Sequence, residues 1–355
     1  MEINLKILDW YDKNKRDLPW RETSDPYKIW LSEVILQQTR VDQGLDYYLT
    51  FIEKFPSVRD LAVAHVDTVL KFWQGLGYYS RARNLQTTAK IIAEKMNGIF
   101  PGNYIDLLKL PGIGPYTAAA ISSIAFGEPR PVVDGNVLRV ISRWFAIDDP
   151  VNSSKGKEKV SAVMEQLIVR QQPGKFNQAV MEFGATFCKP GKPDCESCPF
   201  KENCLAFQTD AVTRYPVKTG KASRRIRHFH YIILYVTTNG ETATFIRKRR
   251  GKDIWQGLYE FPLFESGESV SIGQLMQHIG WNTLTHGSPF NVRHTSQQYR
   301  HQLTHQELFA RFWEIECSEI PKSVSNDFQL VLLKDIKSYP VPRLIEKYLT
   351  GRKIL

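Results

Sequence analysis

With 355 residues, 42% apolar and 24% charged, the chain is long enough for about two cored domains and has a globular composition. No run of about 18 apolar residues occurs, and Met1-Glu2-Ile3-Asn4-Leu5-Lys6 lacks the apolar core of a signal peptide. A cytoplasmic, nucleoid-associated monomer without membrane contact is therefore expected. The net charge of +10 is regional: residues 1–210 carry 26 Lys and Arg against 25 Asp and Glu, whereas residues 211–252 carry 11 against 1. A basic block this dense suits a polyanion, although a solvated linker has the same texture.

Residues 1–20 read as a helix, with Ile3, Ile7, Leu8, Trp10 and Tyr11 at roughly helical spacing, broken at Leu18-Pro19-Trp20-Arg21. Pro26 opens a second helix whose Tyr27, Ile29, Trp30, Leu31, Val34 and Ile35 imply a mostly buried element. Glu33 lies inside that apolar run. A carboxylate there is costly unless paired, hydrated in a cleft or protonated, which makes it a functional candidate; an exposed position on the polar face is the alternative. Gln37-Gln38-Thr39-Arg40 follow, polar side chains able to reach bases. Helices are predicted near 43–54, 57–63, 67–74, 80–97 and 104–110. The turn Gly75-Leu76-Gly77-Tyr78-Tyr79-Ser80 can push a wedge between bases, or can simply pack aromatics in a core.

Leu110-Pro111-Gly112-Ile113-Gly114-Pro115-Tyr116-Thr117-Ala118 places a Gly-x-Gly turn between two helical patterns. Gly112 and Gly114 let backbone amides crowd against a phosphate at the N-terminus of the next helix, while an ordinary helical corner is the plainer reading. A helix runs through Ala125, Val133-Asp134-Gly135-Asn136-Val137 precedes another, and helices continue to Gly184. Cys188, Cys195, Cys198 and Cys204 then follow with C-x6-C-x2-C-x5-C spacing, while Cys317 stands alone. Four thiolates within seventeen residues suit tetrahedral zinc or a four-iron cluster; with only one C-x2-C unit, iron–sulfur is favoured. Residues 211–226 read as a basic linker. Beyond it, strands near 231–236, 243–246, 259–264, 300–303 and 307–316, with Asn239-Gly240 as a hairpin signal and helices near 271–279 and 341–349, make an α+β domain.

The hairpin, Asp134 and the cysteine cluster, taken in this order and spacing, resemble the helix–hairpin–helix DNA glycosylases of the endonuclease III type over residues 1–210. That resemblance implies a multi-domain architecture: a six-helix barrel over about 22–130, a cluster domain from 1–21 and 131–210 holding a [4Fe-4S] cluster on Cys188, Cys195, Cys198 and Cys204, and an active site in the cleft between. The cluster would shape a loop presenting Lys189, Lys192 and Lys201 to DNA, or would also carry electrons; the sequence leaves both roles open. Tyr116 stands where bifunctional members carry a lysine nucleophile. Together with Trp30-Leu31-Ser32-Glu33-Val34-Ile35-Leu36-Gln37-Gln38-Thr39, it makes the chain similar to the MutY branch, monofunctional glycosylases that excise adenine opposite 8-oxoguanine or guanine in base excision repair.

By this resemblance Glu33 is the acid that protonates the departing base and Asp134 meets the sugar cation, with Tyr116 and Asn136 bonding around Asp134 and the water. Gln38 and Tyr78 fill the gap beside the oxidised base, helped by Leu76, while Arg21 and Thr39 lie near the bases. Gln178 occupies a position that varies between glutamate and glutamine. Residues 227–355 resemble a Nudix fold through Trp255-Gln256-Gly257-Leu258-Tyr259-Glu260-Phe261-Pro262, without the Arg-Glu-x-x-Glu-Glu metal-binding helix, so hydrolase activity is not expected. Leu303-Thr304-His305 stands where that branch reads 8-oxoguanine with Phe-Ser-His. Thr304 keeps the hydroxyl and Leu303 loses the aromatic ring. Double-stranded DNA carrying such mispairs is the implied partner; the sequence names no protein partner, and the linker is an open docking place for repair or replication proteins. The competing functions are a glycosylase of the same fold for G:T mispairs or with lyase activity, and a non-catalytic iron–sulfur DNA-binding protein.

Overall fold

The computed structural model describes residues 2–220, 224–277, 281, 284, 289–317 and 328–354. Its contacts divide the chain into two compact units, Met1–Val63 with Asn84–Gly220, and Ala64–Arg83 with Lys221–Leu355. Residues 64–83, read from sequence as part of the helical domain, thus group with the C-terminal unit.

The first unit is helical. After α1 (Ile3–Asn14) and a short 3-10 turn at Pro19–Arg21, α2 (Pro26–Leu36) begins where Asp25 accepts the Tyr27 amide at 2.9 Å and Pro26 supplies a preset φ. There follow α3 (Val41–Lys54) and α4 (Val58–Val63), and, beyond the segment in the other unit, α6 (Ser80–Lys95), whose first turn precedes the boundary. The unit continues with α7 (Tyr104–Leu107), α8 (Pro115–Phe126), α9 (Gly135–Trp144), α10 (Ser154–Leu167), α11 (Pro173–Thr186) and α12 (Leu205–Gln208). Helix α2 is apolar nearly all round and is buried at Tyr27 and from Ile29 to Ile35, packed against α3 and α8. Burying Trp30, with its ring 5.5 Å from that of Phe100, contributes on the order of 2 kcal/mol.

A second core joins Ile7, Leu8 and Tyr11 of α1 to Val140 and Trp144 of α9 and to Phe176, Val180 and Phe183 of α11, with Phe200, Cys188 and Cys204 at its edge. This core explains why the N-terminal helix folds with residues beyond 130. The stretch read as linker is only partly one. Tyr215 is buried and donates to Asp148 at 3.0 Å, Val217 accepts the Val151 amide at 2.9 Å, and the first strand already begins at Arg225; residues 221–223 lie outside the described residues.

The second unit carries α5 (Val66–Phe72) and a sheet. Strands β1 (Arg225–Thr238), β2 (Glu241–Lys248), β3 (Tyr259–Glu260), β4 (Leu263–Ser266), β5 (Phe290–Thr295), β6 (Tyr299–Gln302), β7 (Gln306–Cys317) and β8 (Gln329–Leu332) are joined by α13 (Ile272–Met276) and α14 (Arg343–Gly351). The main order is β3-β2-β1-β7-β5, with β4 on β1, β6 on β7 and β8 on β2. Among the described residues only β1 and β7 pair in parallel, from Arg225↔Gln306 to Tyr235↔Glu316, and both are largely buried. The segment read as one strand at 259–264 is two, because Phe261-Pro262 interrupts the ladder. Strands β5 and β8 had no sequence signal, and residues 278–279 of the expected helix lie outside the described residues.

Candidate active site

Glu33 is buried on α2, 7% exposed, and its Oε2 accepts a hydrogen bond from the Tyr116 hydroxyl on α8. Burial pushes its carboxyl up to about 7; the Tyr116 bond opposes this, the charge of Asp134 adds to it, and Arg21 acts against it. The sequence reading put Tyr116 beside Asp134, whereas the structure joins it to Glu33. Its hydroxyl also lies 3.8 Å from Met181 Sδ, and burial drives its pKa well above the usual value. Met181 carried no local signal in the sequence.

Asp134 is the N-cap of α9. One carboxylate oxygen accepts the Val137 amide at 2.7 Å and the other accepts Asn136 Nδ2 at 2.8 Å. Burial raises its pKa, while the Val137 and Asn136 donors and the Arg139 cation act in the opposite direction. Asn136 Oδ1 in turn accepts Arg139 Nη2 at 2.8 Å, and Arg139 Nε donates to the Cys188 carbonyl at 2.8 Å. Arg139 was missed from sequence, although its place three residues after Asn136, one turn along α9, is a signal that helical spacing provides.

The hairpin is built as its glycines require. Gly112 has φ +77°, and a Cβ there would meet Asn84 Cβ at 2.6 Å, so both conformation and space exclude a side chain. Gly114 caps α8 with nothing within 4 Å of its would-be Cβ, which leaves the first α8 amides approachable by an anion. Gln38 is exposed with φ 59°, and the Thr39 amide donates to Leu36 at 3.1 Å just after α2.

Arg21, expected near the bases, is engaged within the protein and also acts on the Glu33 charge. Its guanidinium is 9% exposed and donates to Glu182 Oε2 at 2.6 Å, beside Arg16 at 2.7 Å. Burial would raise the Glu182 pKa, but these two arginines outweigh it and hold the carboxyl at about 2. Arg21 therefore ties the N-terminal segment to α11 rather than presenting a free cation. Gln178 is likewise occupied, accepting the Tyr11 hydroxyl at 2.9 Å.

Cys188, Cys195, Cys198 and Cys204 line one pocket with Trp144, Phe183 and Arg143. Arg143 Nη1 donates to Cys188 Sγ at 3.3 Å and to the Lys189 carbonyl at 2.9 Å, while the Phe200 amide donates to Cys198 Sγ at 3.4 Å. Among the described residues, no three His, Cys, Asp or Glu converge as they would on a single ion. Four thiols line one cavity, with donors aimed at two of the sulfurs, a donor set that suits a metal centre. Burial pushes the Cys198 thiol up to about 12, so a thiolate there calls for a cationic partner.

Within the C-terminal unit, Tyr78 and Thr304 meet hydroxyl to hydroxyl. They line a pocket with Leu76, Trp255, His301, Leu303 and His305, Leu303 to His305 forming the turn between β6 and β7. On the same sheet Asp253 and Glu265 are bonded by Arg227, and Glu260 by Arg249 and Arg247, so these carboxylates already have cationic partners.

Residues 31–169 match the HhH-GPD superfamily base excision DNA repair protein model and residues 233–351 the NUDIX domain model. The solved structure of a thermostable thymine-DNA glycosylase covers 58% of this chain and 95% of its own at TM-score 0.54 and 31% identity. An endonuclease III trapped covalently on DNA shares the fold at TM-score 0.51 and 24% identity, covering 58% of this chain and 94% of its own. The fold and site define a base excision repair glycosylase with a C-terminal Nudix-like domain. The chain is 36% identical to the adenine DNA glycosylase of Buchnera aphidicola subsp. Acyrthosiphon pisum over 278 residues, 78% of each protein. It is 34% identical to that of Buchnera aphidicola subsp. Baizongia pistaciae over 306 residues, 85% of this chain and 83% of that protein. Against the adenine DNA glycosylase of Homo sapiens it is 44% identical over 211 residues, 57% of this chain and 39% of that protein. The chain belongs to the adenine DNA glycosylase family.

Removing Arg21 leaves the fully buried Glu182 with one cation. Arg21→Ala is expected to cost about 3 kcal/mol in urea unfolding at neutral pH. The Glu182 carboxyl is depressed from 4.5 to about 2, so its stabilisation is complete above pH 4.5 and is lost as pH falls through about 2. The gap between parent and variant should narrow over that window.

Proposed function

We propose that this protein hydrolyses the N-glycosidic bond of adenine mispaired with 8-oxoguanine or guanine in duplex DNA, leaving an abasic site. The observation that carries this reading is the buried Glu33 carboxyl, held by Tyr116 and raised to about 7, in electrostatic contact with Asp134. Adenine leaves poorly as an anion, so the reaction needs a proton on the base. The Glu33 carboxyl gives its proton to adenine N7, the bond from C1′ to N9 breaks, and its electron pair passes to the base. The positive charge that grows on the sugar meets the Asp134 carboxylate, which Asn136 and the α9 amide of Val137 hold in place. Water then adds to C1′, and its proton returns to Glu33. Tyr116 offers a phenol and no amine, so Schiff-base chemistry and strand cleavage have no nucleophile at this position.

DNA would be held through the α8 amides beyond Gly114, with the adenine flipped out of the stack at a cost of a few kcal/mol. Gln38 and Thr39 would approach the bases, and Tyr78, with Leu76, would fill the space beside the opposite base. Thr304 has its hydroxyl beside that of Tyr78, which supports reading the oxidised guanine at this turn, flanked by Leu303 and His305. Cys188, Cys195, Cys198 and Cys204 would hold a [4Fe-4S] cluster, which when bound supplies covalent fastening of the 188–204 loop to the helical core. Lys189 and Lys192 are exposed on that loop and suit a phosphate backbone.

Incubation with duplexes carrying 8-oxoguanine:A, G:A and G:T separates the alternatives. Breaks at adenine only after alkali are expected, absent in Glu33→Gln. Breaks without alkali would restore a lyase, cutting at G:T a thymine glycosylase, and no cutting a binding protein. Metal analysis of freshly purified protein should find about four irons per chain, lost together with visible absorbance in Cys198→Ser; one zinc would contradict the cluster.

A further inference from the structure

The turn that carries Tyr78 is strained. Gly75 and Gly77 have φ of 103° and 73°, and Tyr78, not a glycine, has φ 48°. A left-handed tyrosine is strained and persists only when its surroundings over-determine it. Part of that determination is internal. Trp73 Nε1 donates to the Gly77 carbonyl at 3.0 Å, Arg81 Nη2 donates to the carbonyls of Leu76 and Gly77 at 3.2 Å, and the Arg81 guanidinium lies 5.0 Å from the Trp73 ring centre and 5.8 Å from that of Tyr78.

The rest comes from the sheet. At the start of α5, Asp67 receives Lys248 Nζ from the end of β2 on one oxygen and the Tyr259 hydroxyl from β3 on the other, the latter at 2.9 Å. Asp67 is also 3.9 Å from His65 Nδ1, and the Lys248 ammonium lies 5.6 Å from the Tyr259 ring centre. At the far side of the turn, Arg83 donates to the Gln256 carbonyl and, at 3.3 Å, to its side-chain oxygen. Gly257 beside it has φ +86°, a conformation that L side chains rarely adopt, although a Cβ there would meet Leu70 and Arg83 only at ordinary contact distance. The segment is therefore gripped before and after the strained turn by residues some 170 to 190 positions away in sequence.

We propose that Lys248 and Tyr259, by gripping Asp67, are positioning residues that hold the Gly75 to Tyr78 turn in its DNA-entering shape. This inference rests on the reading of Tyr78 as a residue that enters the duplex. The sheet-bearing unit then does more than supply Thr304 opposite Tyr78: it sets the shape of a segment that the chain order places within the helical sequence. The effect should fall on duplex binding and base extrusion and spare the chemistry of Glu33 and Asp134.

The test uses the full chain with a lesion duplex carrying 2-aminopurine next to the mispair. It compares Lys248→Met, which keeps the stem over Tyr259 and removes the charge, with Asp67→Ala, Lys248→Arg and Tyr78→Ala. Lys248→Met and Asp67→Ala are expected to raise Kd about tenfold and diminish the extrusion signal, with single-turnover base release at saturating duplex falling no further than the extruded fraction and its pH profile unchanged. Lys248→Arg should restore both, and thermal unfolding of each variant separates this from loss of fold. If Tyr78→Ala weakens binding while Lys248→Met and Asp67→Ala bind and extrude like the parent, the positioning role is overturned. If Tyr78→Ala itself binds like the parent, the reading of Tyr78 fails and the proposal falls with it.

Discussion

Glu33 on an apolar helix is the constraint around which the helical unit is arranged. An ionised carboxylate buried among Trp30, Leu31, Val34 and Ile35 would cost several kcal/mol in desolvation, and one hydrogen bond from Tyr116 offsets only part of that. The group therefore exchanges its proton near neutrality, at about 7. Asp134, also raised by burial, is served by two donors and a nearby guanidinium that favour its charge. Two carboxyl groups in one site with different donor sets are what a reaction needing both an acid and an anion requires.

The same economy of partners runs outward from the site. Asn136 serves Asp134 and is itself held by Arg139, which continues to the Cys188 carbonyl; Arg143, one turn along α9, reaches the Cys188 sulfur. One helix thus orients the Asp134 carboxylate at its N-terminus and the thiol-lined pocket along its length. Arg21 and Arg16 close the other side by neutralising Glu182 on α11. In the second unit, arginine–carboxylate pairs occupy the sheet surface, and the segment bearing Tyr78 is docked on it.

Most of the site was legible because its signals are local. A carboxylate inside an apolar helical run, glycines before Pro115, an aspartate two residues before an amide at a helix start, and four spaced cysteines can each be read within a short window. What could not be read were partners distant in sequence. Arg21 meets Glu182 from 161 residues away, an ion pair that no short window of sequence announces. Tyr116 chose Glu33 over Asp134, and residues 64–83 chose the sheet over their neighbours in the chain. Strands β5 and β8 pair through backbone bonds to β7 and β2 and need little alternation of their own, so periodicity passed over them.

The account stands most directly on the proton of Glu33. At limiting duplex, the apparent second-order rate of adenine release reports groups on the free enzyme. A carboxyl raised to about 7 is protonated below that pH and loses its proton above it, so the rate should fall as pH rises through about 7. The Tyr116 bond lowers the Glu33 pKa, so Tyr116→Phe should move this alkaline limb to higher pH. A rate unchanged from roughly pH 6 to 9, or a limb that moves down in Tyr116→Phe, would contradict Glu33 as the acid.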